Sequence, residues 1–272
     1  MLKRMVLIGA IVALFGYANQ VTAAEMIRYN GSSTILKAIM YKAAKEFEKQ
    51  EGIKFDLKGK STGFGIKKIL AGECDIAGGG RPLSEDLKGK GLVATKLCLD
   101  AGVFMVQKDN PVETLSSQQI TDILFGKLTH WDKVNGPAGK KIIIVSPPTK
   151  SSHYKNIKKK IGFNELPKNS IKIDMTPNVY KKVKAFPASI GWLSYSTVRG
   201  KKGVKILQIV DNGEKTEISQ ANISSGKYPY QQTMYFYTKG APEGNVKKFV
   251  DFIQSEKGKA IISDAGFFLA EG

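Results

Sequence analysis

Three loops rich in serine and threonine are the parts of this sequence best suited to chemistry. They read YNGSSTI at 29–35, KGKSTGFGIKK at 58–68 and VSPPTKSSHYK at 145–155. Each follows an apolar run and precedes a helical pattern. Hydroxyls donate hydrogen bonds, and a helix start adds unpaired N–H groups and the positive end of the helix dipole. Brought together, the three loops could hold a small anion without a metal ion.

Helix capping is the simpler explanation of any one of these loops. Serine and threonine before a helix are common N-cap residues, and each cap is worth about 1 kcal/mol. Capping alone does not require the same pattern after three strands, with glycines beside two of the loops. The repetition therefore favours anion binding.

The elements that must position these loops alternate between strands and helices. Strands are predicted at 25–29, 53–59, 74–80, 101–107, 140–146, 188–196, 204–210 and 231–239. Helices are predicted at 35–50, 66–72, 116–126 and 152–163, with one or two more in 245–266. This alternation is typical of an α/β fold with mostly parallel sheets. Such sheets bind ligands at the carboxyl ends of their strands, where all three loops would lie.

The first 24 residues have the pattern of an export signal. A short basic start, MLKRM, precedes the apolar run VLIGAIVALFGYA, and VTAA offers small residues for cleavage after Ala23 or Ala24. The run is short for a membrane span. We therefore expect a signal peptide at 1–24 and a protein exported to the periplasm.

The charge is strongly basic, at +18 for the whole chain and +16 without Lys3 and Arg4. Such an excess suits nucleic acid, an anionic surface or a small anionic ligand, or it is simply a lysine-rich solvated surface. No basic run is interleaved with aromatic residues as single-strand binding requires. We expect no nucleic-acid partner.

Few residues offer catalytic or metal chemistry. His130 and His153 lack metal-ligand spacing, and the sequence has no nucleophile elbow, Walker A loop, dinucleotide fingerprint or zincin helix. Cys74 and Cys98 could form a disulfide or remain two buried thiols. We expect neither an enzyme nor a cofactor.

Several motifs, in their order and spacing, resemble the periplasmic phosphate-binding proteins of ABC importers, of the shorter type. They are GSSTI, STGFGIKKILAGECDIAGGGRPL, LSSQQITDILFGKLTHW, FPASIGWLSY and YPYQQTMYFYTKG. The resemblance implies a type II periplasmic binding protein, with two α/β lobes joined by the hinge strands AGVFMVQ and TMYFYTK. It places lobe 1 at 25–103 and 234–272 and lobe 2 at 104–233. It also implies a monomer that passes a small anion, phosphate or a related oxyanion, to a membrane ABC permease.

Carried over position by position, the resemblance also gives a set of ligand-binding residues, namely Ser33, Thr34, Ser61, Thr62, Arg81, Ser151, Ser152 and His153. The third loop departs most from the family, which has an arginine, three residues and then Ser-Gly-Thr. Here Pro147 stands in place of the arginine, and His153 in place of the threonine. Gly80 stands where many short members have serine.

The third strand also ends without a carboxylate that could accept the proton of phosphate. This absence predicts weaker discrimination between phosphate and sulfate than the family shows. The alternative is an exported anion-sensing or surface-binding relative with another oxyanion, or a phosphorylated or carboxylated small molecule, as its ligand.

Overall fold

The computed structural model describes residues 26–211 and 213–270. The predicted signal peptide at 1–24 lies outside the described residues. Within them, no helix is both long enough and apolar enough to cross a membrane.

The described chain alternates between strands and helices, as the sequence predicts. In chain order the strands are β1 Met26–Ser32, β2 Lys54–Lys60, β3 Ile76–Gly79, β4 Leu92–Gln107, β5 Thr114–Ser116, β6 Ile143–Ser146, β7 Ile171–Lys172, β8 Ser189–Ser194, β9 Val204–Ile206, β10 Gln208–Asp211, β11 Glu214–Thr216 and β12 Gln231–Lys239. The α-helices are α1 Ser33–Ile35, α2 Tyr41–Glu51, α3 Thr62–Leu70, α4 Glu85–Gly89, α5 Ser117–Leu124, α6 Ser152–Ile161, α7 Thr176–Ala185, α8 Tyr195–Val198, α9 Gln220–Ser224, α10 Gly244–Gln254 and α11 Glu256–Asp264. A π-helical segment, Leu36–Met40, joins α1 to α2, and Trp131–Val134 form a 3₁₀ turn.

The first lobe is built on the parallel strands β2, β1 and β3, in that spatial order. One face of this sheet carries α2, α10 and α11, with Phe47 and Phe249 packed edge to face at 5.3 Å between ring centroids. The other face is covered by α3, whose Ile66 and Ile69 are buried against Tyr237 of β12. Because the three strands are parallel, the loops that follow them lie at a common carboxyl edge.

The second lobe repeats this arrangement with parallel strands β8, β6 and β7. Its buried cluster includes Trp131, Trp192, Phe104 and Tyr228. The strands end at Ser146 and Ser194, so the loop before α6 and the start of α8 lie at one edge of this sheet.

Two strands, β4 and β12, connect the lobes. Residues 92–101 of β4 pair antiparallel with β12, and residues 102–106 pair with β8. The strands of the two lobes are therefore hydrogen-bonded to one another through β4. Along β4, however, β12 pairs with the first part of the strand and β8 with the part that follows. The change of partner coincides with a change of core, because Cys98 packs in the first lobe and Leu99 in the second. The boundaries predicted at 103/104 and 233/234 stay a prediction.

The two cysteines are free thiols. Cys74 and Cys98 are both buried, and they belong to different hydrophobic clusters of the first lobe. Burial raises the pKa of the Cys74 thiol to about 11. Of the two possibilities left open by the sequence, the structure has the pair of thiols.

Candidate functional site

The first loop is shorter than the sequence suggests, because the strand predicted to end at residue 29 extends further. Strand β1 continues to Ser32, whose Oγ accepts from the N–H groups of Thr34 and Ile35 at 3.2 and 3.5 Å and so caps α1. Ser33 donates its hydroxyl to the carbonyl of Lys60 at 3.3 Å. Thr34, the other predicted residue of this loop, is half-buried.

The second loop is the start of α3. The Ser61 hydroxyl accepts from the N–H of Phe64 at 3.2 Å, so this serine is an N-cap, as the simpler reading proposes. Thr62 is the first helical residue and is buried, with 5% of its surface exposed. The N–H groups of Thr62 and Gly63 belong to the first turn, which has no acceptor within the helix.

Glycine is required where α3 approaches the sheet. A Cβ atom on Gly79 would lie 2.3 Å from Thr62 Cγ2 and 2.6 Å from Thr62 Oγ1. A Cβ atom on Gly65 would lie 2.6 Å from the carbonyl oxygen of Asn30. The glycines of β3 and α3 therefore allow the Thr62 hydroxyl to lie directly on the end of the sheet.

Arg81 places a cation beside this helix start. Its Nη2 lies 3.7 Å from the position that a Cβ on Gly63 would take, and its carbonyl accepts from Tyr237 Oη at 2.5 Å. The ion pairs of the described residues do not include Arg81. A guanidinium near the positive end of a helix dipole is unfavourable by itself and becomes favourable once an anion binds between the two.

The third loop meets the second across the gap between the lobes. Ser151 caps α6 through Tyr154 N–H at 3.2 Å, and Ser152 is the first helical residue. The Ser152 hydroxyl lies 3.5 Å from the Thr62 hydroxyl. Two hydroxyls at this separation can both donate to one oxygen atom of a bound anion.

A second contact between the lobes lies further along α6. Asn156 donates its side-chain amide to the carbonyl of Gly80 at 3.1 Å and also to Gln232 Oε1 at the start of β12. The structure thus has its lobes in contact at the ligand loops. Sequence reasoning missed Asn156, because one polar residue on a helix of lysines carries no signal of its own.

His153 is engaged with other parts of its own lobe. Its Nε2 lies 3.1 Å from Ser194 Oγ, and its backbone carbonyl accepts from Trp192 Nε1 at 3.2 Å. Desolvation lowers the pKa of His153 to about 4, so the ring is neutral at pH 7. The ring also lines a cavity of about 40 Å³, together with Asn156, Tyr230 and Gln232.

A buried carboxylate behind this ring was not predicted. Asp100 lies on β4 and is fully buried, and its pKa is raised to about 6 by desolvation, against hydrogen bonds that lower it. The sequence does contain a signal, an Asp within the apolar run LCLDAGVFMV. A charged residue at the inward position of a buried strand requires partners.

The structure therefore brings the second and third loops together and places Arg81 beside them. These features define a two-lobed binding protein whose cleft carries hydroxyls, helix N-termini and the guanidinium of Arg81, which forms no ion pair with the described residues. Among the described residues, no group of three or more His, Cys, Asp or Glu residues is arranged to hold a metal ion.

Comparison with known proteins gives the family. Residues 18–257 match the PBP superfamily domain, and the chain belongs to this superfamily. It is 27% identical over 249 residues to the phosphate-binding protein PstS of Bacillus subtilis, an alignment that covers 90% of this chain and 81% of the relative. It is 28% identical to the phosphate-binding protein PstS of Staphylococcus epidermidis, with 87% of this chain and 76% of the relative covered.

Solved structures have the same fold. A Clostridium perfringens protein, described as a candidate phosphate ABC transporter substrate-binding protein and solved with bound phosphate, matches with a TM-score of 0.80 and 25% identity. The match covers 91% of this chain and all of that one. An ABC-type phosphate transport receptor from Vibrio cholerae matches with a TM-score of 0.75 and 23% identity, over 89% of this chain and 99% of that one. The predicted α/β fold with two lobes is confirmed.

Proposed function

We propose that this protein captures phosphate or a closely related small oxyanion between its lobes and delivers it to a membrane ABC permease. The observation that carries the proposal is Arg81, a cation without a carboxylate partner among the described residues, beside the free N–H groups of α3. The names of the similar proteins, and the phosphate bound to one of them, support phosphate as the anion.

The ligand would be held by donors from both lobes. The first lobe would supply Thr34, Thr62 and Arg81, and the second would supply Ser152 and the first N–H groups of α6. Ser61 and Ser151 would act through their caps, which fix the directions of the two helix starts. Because the donors come from both lobes, an anion between them would stabilise the closed arrangement.

The charge of the chain suits this role. The proposed second lobe at 104–233 carries 21 basic and 9 acidic residues, a net charge of +12, against +4 for the proposed first lobe at 25–103 and 234–272. A positive field of this kind raises the rate at which small anions reach a cleft.

The rest of the proposal concerns where and how the protein acts. We propose that the chain is exported with a signal peptide at 1–24, works in the periplasm as a monomer, and is a transport component without catalytic activity. The relatives that it resembles carry the names of phosphate-binding proteins.

The alternative is a relative with an altered ligand, and a specific feature of the third loop favours it. Pro147 stands where the family has an arginine, and the His153 ring is already bonded to Ser194. The site then has one arginine rather than two, which weakens selection for a compact, highly charged anion. Larger phosphorylated or carboxylated molecules would suit such a site.

A thermal-shift screen separates the two functions. The purified protein is heated with phosphate, sulfate and small phosphorylated or carboxylated acids at the same concentration and pH. A ligand at a thousand times its dissociation constant adds about 4 kcal/mol to the free energy of unfolding. Phosphate is expected to give the largest shift; a larger shift with an organic acid would favour the alternative.

A further inference from the structure

A chain of hydrogen bonds links the hinge strand to the third ligand loop. Asp100 Oδ1 accepts from the N–H groups of Ala101 at 2.8 Å and Ser196 at 3.2 Å, and Oδ2 accepts from Ser196 Oγ at 2.6 Å. Ser196 Oγ lies 3.1 Å from Ser194 Oγ, which in turn lies 3.1 Å from His153 Nε2. The chain thus begins at a buried carboxylate and ends at the second residue of α6.

Counting protons fixes the direction of every bond in this chain. An ionised carboxylate can only accept hydrogen bonds, so the hydroxyl of Ser196 donates its single proton to Asp100. Ser194 also hydrogen-bonds Asp100, and neither Asp100 nor Ser196 has a proton left to give, so Ser194 donates its own proton to this pair. Because this proton is already donated, the Ser194 hydroxyl can only accept further hydrogen bonds. Its two lone pairs accept from Thr197 Oγ1 at 2.9 Å and from His153 Nε2 at 3.1 Å.

We propose that Asp100 is a positioning residue that sets the hydrogen-bonding polarity of the third ligand loop, by holding His153 as the tautomer protonated at Nε2. The ring then presents Nδ1 as an acceptor. A ring that replaces a donor threonine would thus serve as an acceptor. Two hydroxyls transmit this preference, and Asp100 itself does not contact the ligand.

The consequence for ligand choice rests on the proposed function. At neutral pH phosphate carries a proton and can donate one hydrogen bond, whereas sulfate cannot. An Nδ1 acceptor at the start of α6 favours the protonated anion and disfavours sulfate. Weak discrimination between phosphate and sulfate was expected because the end of β3 lacks an acceptor. An Nδ1 acceptor on His153 would remove that reason.

The Asp100→Asn variant tests the proton count directly. Two backbone N–H groups hold Oδ1, so the new amide should place its oxygen there and its NH₂ at the former Oδ2. That NH₂ donates to Ser196, whose proton turns to Ser194, and Ser194 then donates to His153 Nε2. Nitrogen-15 NMR of labelled histidine at pH 8, where Asp100 is ionised, distinguishes the two tautomers. We expect Nε2–H in the wild type and Nδ1–H in the variant.

Controls isolate the effect of the carboxylate. His130, whose Nδ1 lies 3.0 Å from Thr129 Oγ1, gives an internal reference signal. Asp109→Asn neutralises an exposed carboxylate beyond the end of β4 and should leave the His153 tautomer unchanged. Ser194→Ala removes the hydroxyl that bonds His153 while Ser196 still bonds Asp100, and it should populate both tautomers, which decides the question if Asp100→Asn does not fold.

Two results would overturn the proposal. One is a wild-type ring protonated at Nδ1, and the other is retention of pure Nε2–H in a folded Asp100→Asn or, if that variant does not fold, in Ser194→Ala. For the ligand, the ratio of phosphate to sulfate affinity should fall at least about fivefold in Asp100→Asn, since an unpaired buried O–H is costly. An unchanged ratio with a changed tautomer would refute the role in specificity. The NMR measurement needs no ligand, so a wild type that binds neither anion would refute the proposed function alone.

Discussion

Replacing Arg81 by alanine should separate ligand binding from stability. The guanidinium lies beside the start of α3 and forms no ion pair with the described residues, so its expected partner is the ligand. A hydrogen bond to a charged group contributes about 1.5–3 kcal/mol. Arg81→Ala should therefore weaken phosphate binding about 10- to 150-fold in isothermal titration calorimetry.

Without ligand, Arg81→Ala should be as stable as the wild type or slightly more stable, although its phosphate affinity falls. Removing a cation from the positive end of a helix relieves about 0.3–1 kcal/mol of repulsion. Urea unfolding without phosphate should thus show an unchanged or slightly higher free energy of unfolding. A residue that held the fold together would show a loss in the same experiment.

The two other arginines of the described chain serve as matched controls. Arg199 donates to the carbonyl of Asp264 at 2.6 Å, so Arg199→Ala should leave phosphate affinity unchanged. Arg28 forms a two-pronged ion pair with Asp75, and Arg28→Ala should lower the free energy of unfolding by about 1 kcal/mol without affecting affinity. Unchanged affinity in Arg81→Ala, or an equal loss in Arg199→Ala, would refute the reasoning.

Three further predictions follow from the same geometry. Thr62→Val keeps the shape of a buried side chain but removes its hydroxyl, and calorimetry should show phosphate binding weakened about tenfold or more. Gly79→Ala adds a Cβ that collides with Thr62, and urea unfolding should show a loss of about 1–3 kcal/mol, whereas Gly89→Ala, with open space around it, should show none. Because the pKa of Asp100 is raised from 3.8 to about 6, its stabilising contribution is complete below pH 4 and is lost as pH rises through 6. The difference in unfolding free energy between the wild type and Asp100→Asn should shrink by about 3 kcal/mol from pH 4 to pH 7; this difference is the useful quantity, since His153 titrates with the opposite sign.

The sequence predicted those elements whose patterns are local. The strand predicted at 231–239 is β12, and the helix opened by Ser116 is α5, capped by that serine in a capping box with Gln119. The region 245–266 contains two helices, α10 and α11. Apolar periodicity and caps identify such elements because neighbours in sequence determine them.

The elements that were predicted wrongly, or not at all, are those whose formation depends on partners distant in the sequence. The hinge strand predicted at 101–107 is β4, which begins at Leu92, because pairing with β12 extends it. The helix α7 was not predicted at all, and the strand predicted at 204–210 is interrupted at Leu207 and forms β9 and β10. Chain order alone does not reveal such pairings.

The candidate site shows the same division. Ser61, Thr62 and Ser151 lie at helix starts, as the loop pattern implies. The bond from His153 to Ser194, and the carboxylate behind it, depend on residues 41 and 96 positions apart. No motif within one segment could indicate this hydrogen-bond network, which joins three separate segments of the chain.

Calorimetric titration of the purified protein with inorganic phosphate, at low salt and at about 0.5 M salt, is the decisive measurement of anion capture between the lobes. We expect saturable binding of one phosphate per chain that survives the added salt, because a partly enclosed site is little screened. Arg81→Ala should weaken that binding at both salt concentrations. The absence of saturable binding, or binding that disappears with salt as it does for polyanions, would refute the proposed capture of phosphate.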